Sequence, residues 1–119
     1  MKTNRGVPKR MTVKEFIEAI NALDDTIYQI KITTKFKKSL DLSYRRNLDL
    51  KLLKEAVAKL AKGEILDKKY HAHTLEGFEG KTPVWECHVK PDWLLLWQQI
   101  EDALVLILLN TGSHSDLFK

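Results

Sequence analysis

All four histidines of the chain lie between positions 71 and 119, at His71, His73, His88 and His114. Histidine is the side chain whose charge changes nearest neutral pH, so a group of histidines is the first candidate for proton transfer. In the segment HVKPDW, Asp92 follows His88 across a bend at Pro91. An imidazole and a carboxylate that meet across a bend can share a proton. The sequence therefore predicts acid–base chemistry here, against the simpler alternative of a polar turn with Trp93 in the core.

The end of the chain carries a second group of polar residues, NTGSH, directly after an apolar run. Thr111 and Ser113 supply hydroxyls, and the backbone around Gly112 supplies N–H groups that can bind a phosphate oxygen. A plain turn that ends a strand is equally compatible with these residues. His114 stands beside this turn, which makes it a further candidate for proton transfer.

A metal site is an alternative use of the same side chains. Alternation along the segment YHAHTLEG would place His71 and His73 on one face of a strand. A His-x-His pair is a common start of a zinc site, and His88 and Asp92 would complete it.

The formal net charge of +4 conceals an uneven distribution. Residues 1–70 contain 17 Lys/Arg and 9 Asp/Glu, a net +8, whereas residues 71–119 contain 3 and 7, a net −4. A polyanion is therefore expected to meet the first half. The alternative is a pair of solvated helices with lysine-rich outer faces. The basic residues expected to face such a polyanion are Lys35, Lys37, Lys38, Arg45, Arg46, Lys51 and Lys54.

The elements that must position these residues follow from the hydrophobic pattern. Thr12 and Glu15 form a capping-box pattern before a short amphipathic helix. The segment TIYQIKIT predicts a strand, and KFKKSLDLSYRRN, capped by Thr34, and LDLKLLKEAVAKLAKG predict two helices. From Tyr70 onward, YHAHTLEG, VWECHV, WLLLWQQI and ALVLILLN predict four strands, the last covered on both faces. The expected fold is α+β, with a helical hairpin on one face of a small antiparallel sheet and an extra N-terminal helix.

Composition excludes several classes of protein. Cys87 is the only cysteine, so neither a disulfide framework nor a paired-cysteine zinc site is expected. The apolar runs are much shorter than the roughly 20 residues that span a bilayer, and MKTNRGVPKR lacks the apolar core of a signal peptide. We expect a cytoplasmic protein that has no membrane partner.

Three ordered motifs, HTLEG, HVKPDW and NTGSHSDLF, resemble the YafQ branch of the RelE/ParE toxin superfamily. The resemblance covers about Thr26 to Phe118, so residues 1–25 are expected to be an extension and residues 26–119 a RelE-like domain. It implies an mRNA endonuclease that acts in the ribosomal decoding site. It also implies a cognate antitoxin of the RelB or DinJ type, with operator DNA bound only through the antitoxin complex.

The resemblance assigns functional roles to His73, His88 and His114, to the Asp92–Trp93 pair and to Phe118. His114 would be the general acid for the leaving 5′ oxygen. His73, His88 and Asp92 would provide and orient the general base. Trp93 and Phe118 would stack or pack beside the scissile nucleotides. No metal or other cofactor is implied, and His71 has no counterpart and is expected to be an ordinary strand residue.

One position departs from the resemblance. The family pattern usually has an arginine before TGSH, and this chain has Asn110. Charge builds on the phosphoryl oxygens when a ribose 2′-OH attacks phosphorus, and loss of one donor that stabilises it costs on the order of 10²–10³ in rate. Lys81, Lys90 or a basic residue on the helices are candidate replacements. The alternatives are an attenuated toxin that only binds antitoxin or ribosome, and a ParE-like inhibitor of gyrase.

Overall fold

The fold, taken from a computed structural model, combines four α-helices with a five-stranded sheet, and the structure describes residues 9–77 and 80–118. Residues 1–8 of the expected extension lie outside that range. In chain order the elements are α1 (Val13–Asn21), β1 (Gln29–Ile32), α2 (Thr34–Arg45), α3 (Leu50–Ala61), a 3₁₀ turn (Lys68–Tyr70), β2 (His73–Thr74), β3 (Trp85–Lys90), β4 (Trp93–Ile100), β5 (Val105–Gly112) and α4 (His114–Leu117). No helix in the described ranges is long and apolar enough to cross a membrane.

The sheet has the order β1-β5-β4-β3-β2 and is mixed. The pairs β2–β3, β3–β4 and β4–β5 are antiparallel, as predicted. The prediction of a wholly antiparallel sheet is wrong for β1, which runs parallel to β5 with Gln29 opposite Val105 and Ile32 opposite Leu108. A parallel pair needs a long crossover rather than a hairpin, and the rest of the domain lies between these two strands.

The central strand of the sheet is β4. Residues 93–97 of β4 are all buried, although successive side chains point to opposite faces, so both faces are covered there. In β5 only Leu106 and Leu108 of the apolar run are fully buried. Strand β5 is still flanked on both sides, by β1 and β4, which holds the end of the chain in place.

Helix capping follows the sequence closely. Thr12 and Glu15 form both hydrogen bonds of the capping box at α1. At α2 the cap is Thr33, one residue before the predicted Thr34, and its Oγ1 accepts a hydrogen bond from Phe36 N at 3.0 Å. Either threonine satisfies the preference for a hydroxyl at the N-cap, so the pattern alone could not choose between them.

Two segments before and after the main strands differ from prediction. Only His73 and Thr74 of YHAHTLEG form a strand, because the chain makes a 3₁₀ turn and His71 takes a left-handed conformation with φ of 49°. His71 is therefore not a strand residue, and it does not share a strand face with His73. The TGSH turn leads into a short helix, α4, whose N-cap is Ser113.

Candidate active site

The pairing of β2 with β3 joins His73, His88 and Glu86. His73 lies opposite Glu86 in the register, and its Nε2 is 3.0 Å from Glu86 Oε1. His88 Nε2 is 3.8 Å from the same oxygen. Glu86 is only 5% exposed, so its carboxylate depends on these imidazoles for polar contact.

Sequence reasoning missed Glu86. It stands two residues before His88 in WECHV, and alternation along a strand puts both on one face. That signal was available in the sequence. The contact with His73 was not, because it depends on the register between β2 and β3.

The bend between β3 and β4 brings Asp92 to the start of α4. Asp92 Oδ1 accepts hydrogen bonds from the backbone N–H of His114 at 2.9 Å and from its ring Nδ1 at 2.7 Å. These bonds lower the pKa of Asp92 below its ordinary value, and the bond from the backbone N–H has the larger effect. Asp92 is therefore ionised at neutral pH, and it holds the His114 ring with Nε2 directed away from the carboxylate.

The imidazole rings lie next to one another. The ring centroids of His88 and His114 are 5.7 Å apart, and those of His71 and His88 are also 5.7 Å apart. Phe118 lies beside His114 with centroids 6.5 Å apart and is 44% exposed. The structure thus brings together all three histidines expected to function, and His71 joins them although it was expected to be apart.

A cavity of about 660 Å³ opens beside His88. Its apolar wall includes Leu52 and Val89, and its charged residues are Lys69 and Lys90, which are positive, and Glu55, which is negative. Its volume and its mixture of apolar and cationic residues suit a nucleotide better than an ion.

Trp93 does not fit the role suggested for it. It is 1% exposed and belongs to the hydrophobic core, so it cannot stack on a nucleotide in this conformation. Its indole Nε1 is buried without a hydrogen-bond partner among the described residues. Trp93 and Phe118 were both expected to lie beside the nucleotides, and of these two side chains only Phe118 is accessible to a ligand.

The TGSH turn does not offer its amides to a phosphate. The Ser113 N–H donates to Asp116 Oδ2 at 2.8 Å, and the His114 N–H donates to Asp92. Asn110 is likewise engaged, because its Oδ1 accepts bonds from Ser39 Oγ at 2.6 Å and from Thr111 N at 2.9 Å. The suggestion that this turn binds a phosphate oxygen through free N–H groups is therefore wrong for Ser113 and His114.

The basic residues of the hairpin fall into two groups. Arg45 pairs with Asp41 on its own helix, and Arg46 pairs with Asp116 of α4, so each already has one carboxylate partner. Lys54 is partly buried. The remaining four are exposed to solvent: Lys35, Lys37, Lys38 and Lys51.

One group could hold a metal ion. Ligand atoms of His73, Glu86 and His88 all lie within 4.8 Å of one another. Two imidazoles and a carboxylate are a donor set that suits zinc or copper. Among the described residues this group differs from the zinc site considered from the sequence, since Glu86 takes the place of His71 and Asp92.

Residues 28–119 match the family model described as a bacterial toxin of type II toxin–antitoxin system, YafQ. The chain belongs to the YafQ family of toxins. No curated protein sequence matches it significantly. The match covers most of the chain, which confirms the resemblance of HTLEG, HVKPDW and NTGSHSDLF to YafQ toxins.

Solved structures agree with this family and with the fold. A metal-bound toxin from Helicobacter pylori is 41% identical, with 76% of this chain and 99% of that chain covered and a TM-score of 0.71. The E. coli DinJ–YafQ toxin–antitoxin complex is 27% identical, with 78% and 99% covered and a TM-score of 0.70. A copper-bound mutant toxin from H. pylori is 36% identical, with 76% and 99% covered and a TM-score of 0.68. YafQ toxins thus share the RelE-like α+β fold of this chain.

Proposed function

We propose that this YafQ-family toxin is a ribosome-dependent mRNA endonuclease that cleaves RNA by metal-independent attack of a ribose 2′-OH on the adjacent phosphorus. The observation that carries the proposal is the 5.7 Å separation of the His88 and His114 rings, each with its own carboxylate neighbour. At that separation both imidazoles can contact one phosphodiester. One ring accepts the 2′-OH proton, the other donates a proton to the leaving 5′ oxygen, and the products are a 2′,3′-cyclic phosphate and a 5′-OH.

His114 suits the acid. Asp92 accepts from its Nδ1, which fixes the proton there and leaves Nε2, on the half-exposed side chain, to carry and release a second proton. The Asp92 charge also stabilises the imidazolium form that an acid must begin from. This is the arrangement by which a buried or bonded carboxylate orients a catalytic histidine.

His88 is better suited than His73 to act as the general base. His88 Nδ1 lies 3.3 Å from the Pro91 carbonyl, so it carries the hydrogen, and Nε2 is too far from Glu86 for a hydrogen bond. Both ring nitrogens of His73 face oxygen acceptors, Thr74 O and Glu86 Oε1. His73 therefore has no free nitrogen and orients Glu86 beside His88.

The exposed lysines of α2 and α3 and the cavity beside His88 support an RNA substrate. We propose that Lys35, Lys37, Lys38 and Lys51 contact the phosphate backbone of ribosomal RNA or mRNA, and that the cavity with Lys69 and Lys90 receives a nucleotide next to the scissile bond. Phe118 offers the exposed ring for stacking.

A cognate antitoxin is the proposed protein partner, by analogy with the similar DinJ–YafQ complexes of E. coli. Operator DNA would be bound only through that complex, and both partners would meet in the cytoplasm. The gyrase-inhibitor alternative has less support, because the family match is to YafQ toxins.

The test is cleavage of a defined mRNA on purified translating ribosomes, with the chain as it stands, His114→Ala, His88→Ala and the surface control Lys62→Ala. We expect cleavage by the unaltered chain and by Lys62→Ala, with a cyclic phosphate end, and a loss on the order of 10²–10⁴-fold in each histidine variant. Cleavage should persist when a chelator selective for zinc and copper is added at constant Mg²⁺. Equal rates in His114→Ala and the unaltered chain would exclude the histidine mechanism, and absence of any cleavage would favour the attenuated, binding-only toxin.

A second candidate function is binding of zinc or copper by His73, Glu86 and His88, which the 4.8 Å grouping and the metal-bound relatives favour. Isothermal titration with Zn²⁺ or Cu²⁺ should show one site that is lost in His73→Ala and kept in His114→Ala. Because His88 Nε2 would then be occupied, added metal is expected to slow cleavage. Unchanged binding in His73→Ala would exclude this site.

A further inference from the structure

A second cavity, of about 250 Å³, lies where α2, β5 and α4 meet. Asp92 and Asp116 form part of its wall, together with Asn110 and Gly112 from the end of β5. Because Asp92 holds the His114 ring, this cavity adjoins the proposed acid. It is the space into which a longer side chain at position 110 would extend.

Arg46 brings the positive charge to this cavity. Among the described residues that line it, Arg46 alone is cationic. The segment 71–119, which supplies every histidine, contains three lysines and no arginine. A guanidinium near His114 must therefore come from the helical half of the chain, and α2 ends beside α4 with Arg46 as its C-cap.

The guanidinium is held in a defined orientation. Arg46 Nη1 lies 2.6 Å from Asp116 Oδ2, and Nη2 lies 3.3 Å from Asp116 Oδ1. Asp116 is fixed in turn by the Ser113 N–H. These two bonds use two of the five N–H donors of arginine, and the side chain is 47% exposed, so the remaining donors are open to a ligand.

The charges that face Arg46 leave it available to an anion. Asp116 is the carboxylate that pairs with it, and the other carboxylate of the cavity, Asp92, is bonded to His114. Asn110 cannot supply charge, and its Oδ1 is already occupied by Ser39 and Thr111. In the transition state of RNA cleavage, negative charge grows on the phosphoryl oxygens, and a preorganised guanidinium stabilises it.

We propose that Arg46 binds the phosphoryl oxygens of the RNA substrate beside His114, so that α2 supplies the cation which Asn110 does not. This inference rests on the proposed ribonuclease function. It assigns Asp116 as the positioning residue that orients the guanidinium. It makes Asn110 compatible with full activity.

The test compares Arg46→Ala, Arg46→Lys, Asn110→Arg and the double variant Arg46→Ala/Asn110→Arg in the ribosome assay, with Lys62→Ala as the control for lost charge. We expect Arg46→Ala to lower kcat on the order of 10²–10³-fold and Arg46→Lys to lower it less, since an ammonium cannot form the same pair of bonds. The double variant should regain most of the rate, because the new guanidinium enters the same cavity.

Each other outcome overturns the proposal in a distinguishable way. Unaltered cleavage by Arg46→Ala removes Arg46 from the site and leaves the ribonuclease function standing. A double variant as slow as Arg46→Ala, with the same loss of thermal stability, means that Arg46 only anchors α4. If the unaltered chain does not cleave, the proposed ribonuclease function is wrong. The phosphate contact of Arg46 is then tested by the binding of a non-cleavable 2′-deoxy oligonucleotide. Equal affinity of the unaltered chain and Arg46→Ala for that oligonucleotide excludes a phosphate contact.

Discussion

At the scale of single residues, the contact between Asp92 and His114 leads to the most specific prediction. Asp92→Asn keeps an oxygen that can accept from the His114 N–H but removes the charge that stabilises its imidazolium. We expect cleavage to fall on the order of 10²–10⁴-fold with an unchanged melting temperature. Because its bonds to His114 lower the pKa of Asp92, protonation of Asp92 should not limit the unaltered enzyme at neutral pH. Unaltered kcat in Asp92→Asn would mean that the bond does not serve catalysis.

Cys87 lies between Glu86 and His88 in β3, but its side chain is on the opposite face and fully buried. Burial in the core, with a smaller contribution from the Glu86 charge, raises the pKa of the thiol to about 12. The thiolate is the reactive form, so Cys87 should resist alkylation. Iodoacetamide at pH 8 is expected to leave the folded protein unlabelled and to label it in denaturant. Rapid labelling of the folded protein would show that β3 opens locally.

Part of the site followed from residue types alone. Residue types indicated the four histidines and Asp92, the resemblance to YafQ toxins selected His73, His88 and His114 among them, and the structure places these side chains close together. Trp93 could not be separated from Phe118, because whether an aromatic residue is buried depends on packing across the whole sheet. The contact of Glu86 with His73 and the places of His71 and Arg46 depend on pairings between distant segments, which no local pattern reports.

At the scale of elements, α4 is attached to α2 through Asp116. The pKa of the Asp116 carboxyl lies well below its usual range. The larger cause is its bond to Arg46, and the next is the bond from the Ser113 N–H. A carboxyl group whose pKa is lowered on folding adds stability above its unfolded pKa and loses it as pH falls toward the folded value. Asp116→Ala should therefore lower the free energy of unfolding by about 1 kcal/mol at pH 7, and the difference should shrink as pH falls below about 4.

Thermal unfolding of both proteins between pH 3 and pH 8 checks this prediction, with Asp102→Ala, on the exposed β4–β5 turn, as the matched control. The control should stay within about 0.5 kcal/mol of the unaltered chain across the range. A difference for Asp116→Ala that grows toward low pH would contradict the assigned role of the ion pair.

The order of elements from α1 to β5 was predictable because their hydrophobic periods and caps are strong, as at Thr12 and Glu15. The direction of β1 was not, since period-2 alternation is the same in parallel and antiparallel pairs. Nor was α4, because a four-residue helix has too little sequence to carry a periodic signal.

At the scale of the whole molecule, residues before position 28 distinguish this chain from its relatives. The alignments with similar toxins include 99% of each of those chains but only 76–78% of this one. The family match starts at residue 28. We propose that residues 1–25 are an addition to a YafQ domain of residues 26–119. Within the addition, Phe16 and Ile20 are buried in the same core as the helical hairpin, and Arg10 lies over the Tyr44 ring at 4.0 Å.

The addition should therefore contribute to the stability of the whole domain. Phe16 is 0% exposed and its ring lies 6.2 Å from that of Phe36 in α2, so Phe16→Ala leaves a cavity at the centre of this contact. We expect the free energy of unfolding to fall by about 3–5 kcal/mol in a single cooperative transition. Lys14→Ala, exposed on the same helix, should change it by less than about 0.5 kcal/mol. Denaturant unfolding followed by tryptophan fluorescence measures both, since the buried Trp93 and Trp97 report on the sheet rather than on α1. If Phe16→Ala unfolds at the same denaturant concentration as Lys14→Ala, α1 is a loosely attached appendage and the sheet and hairpin are stable without it.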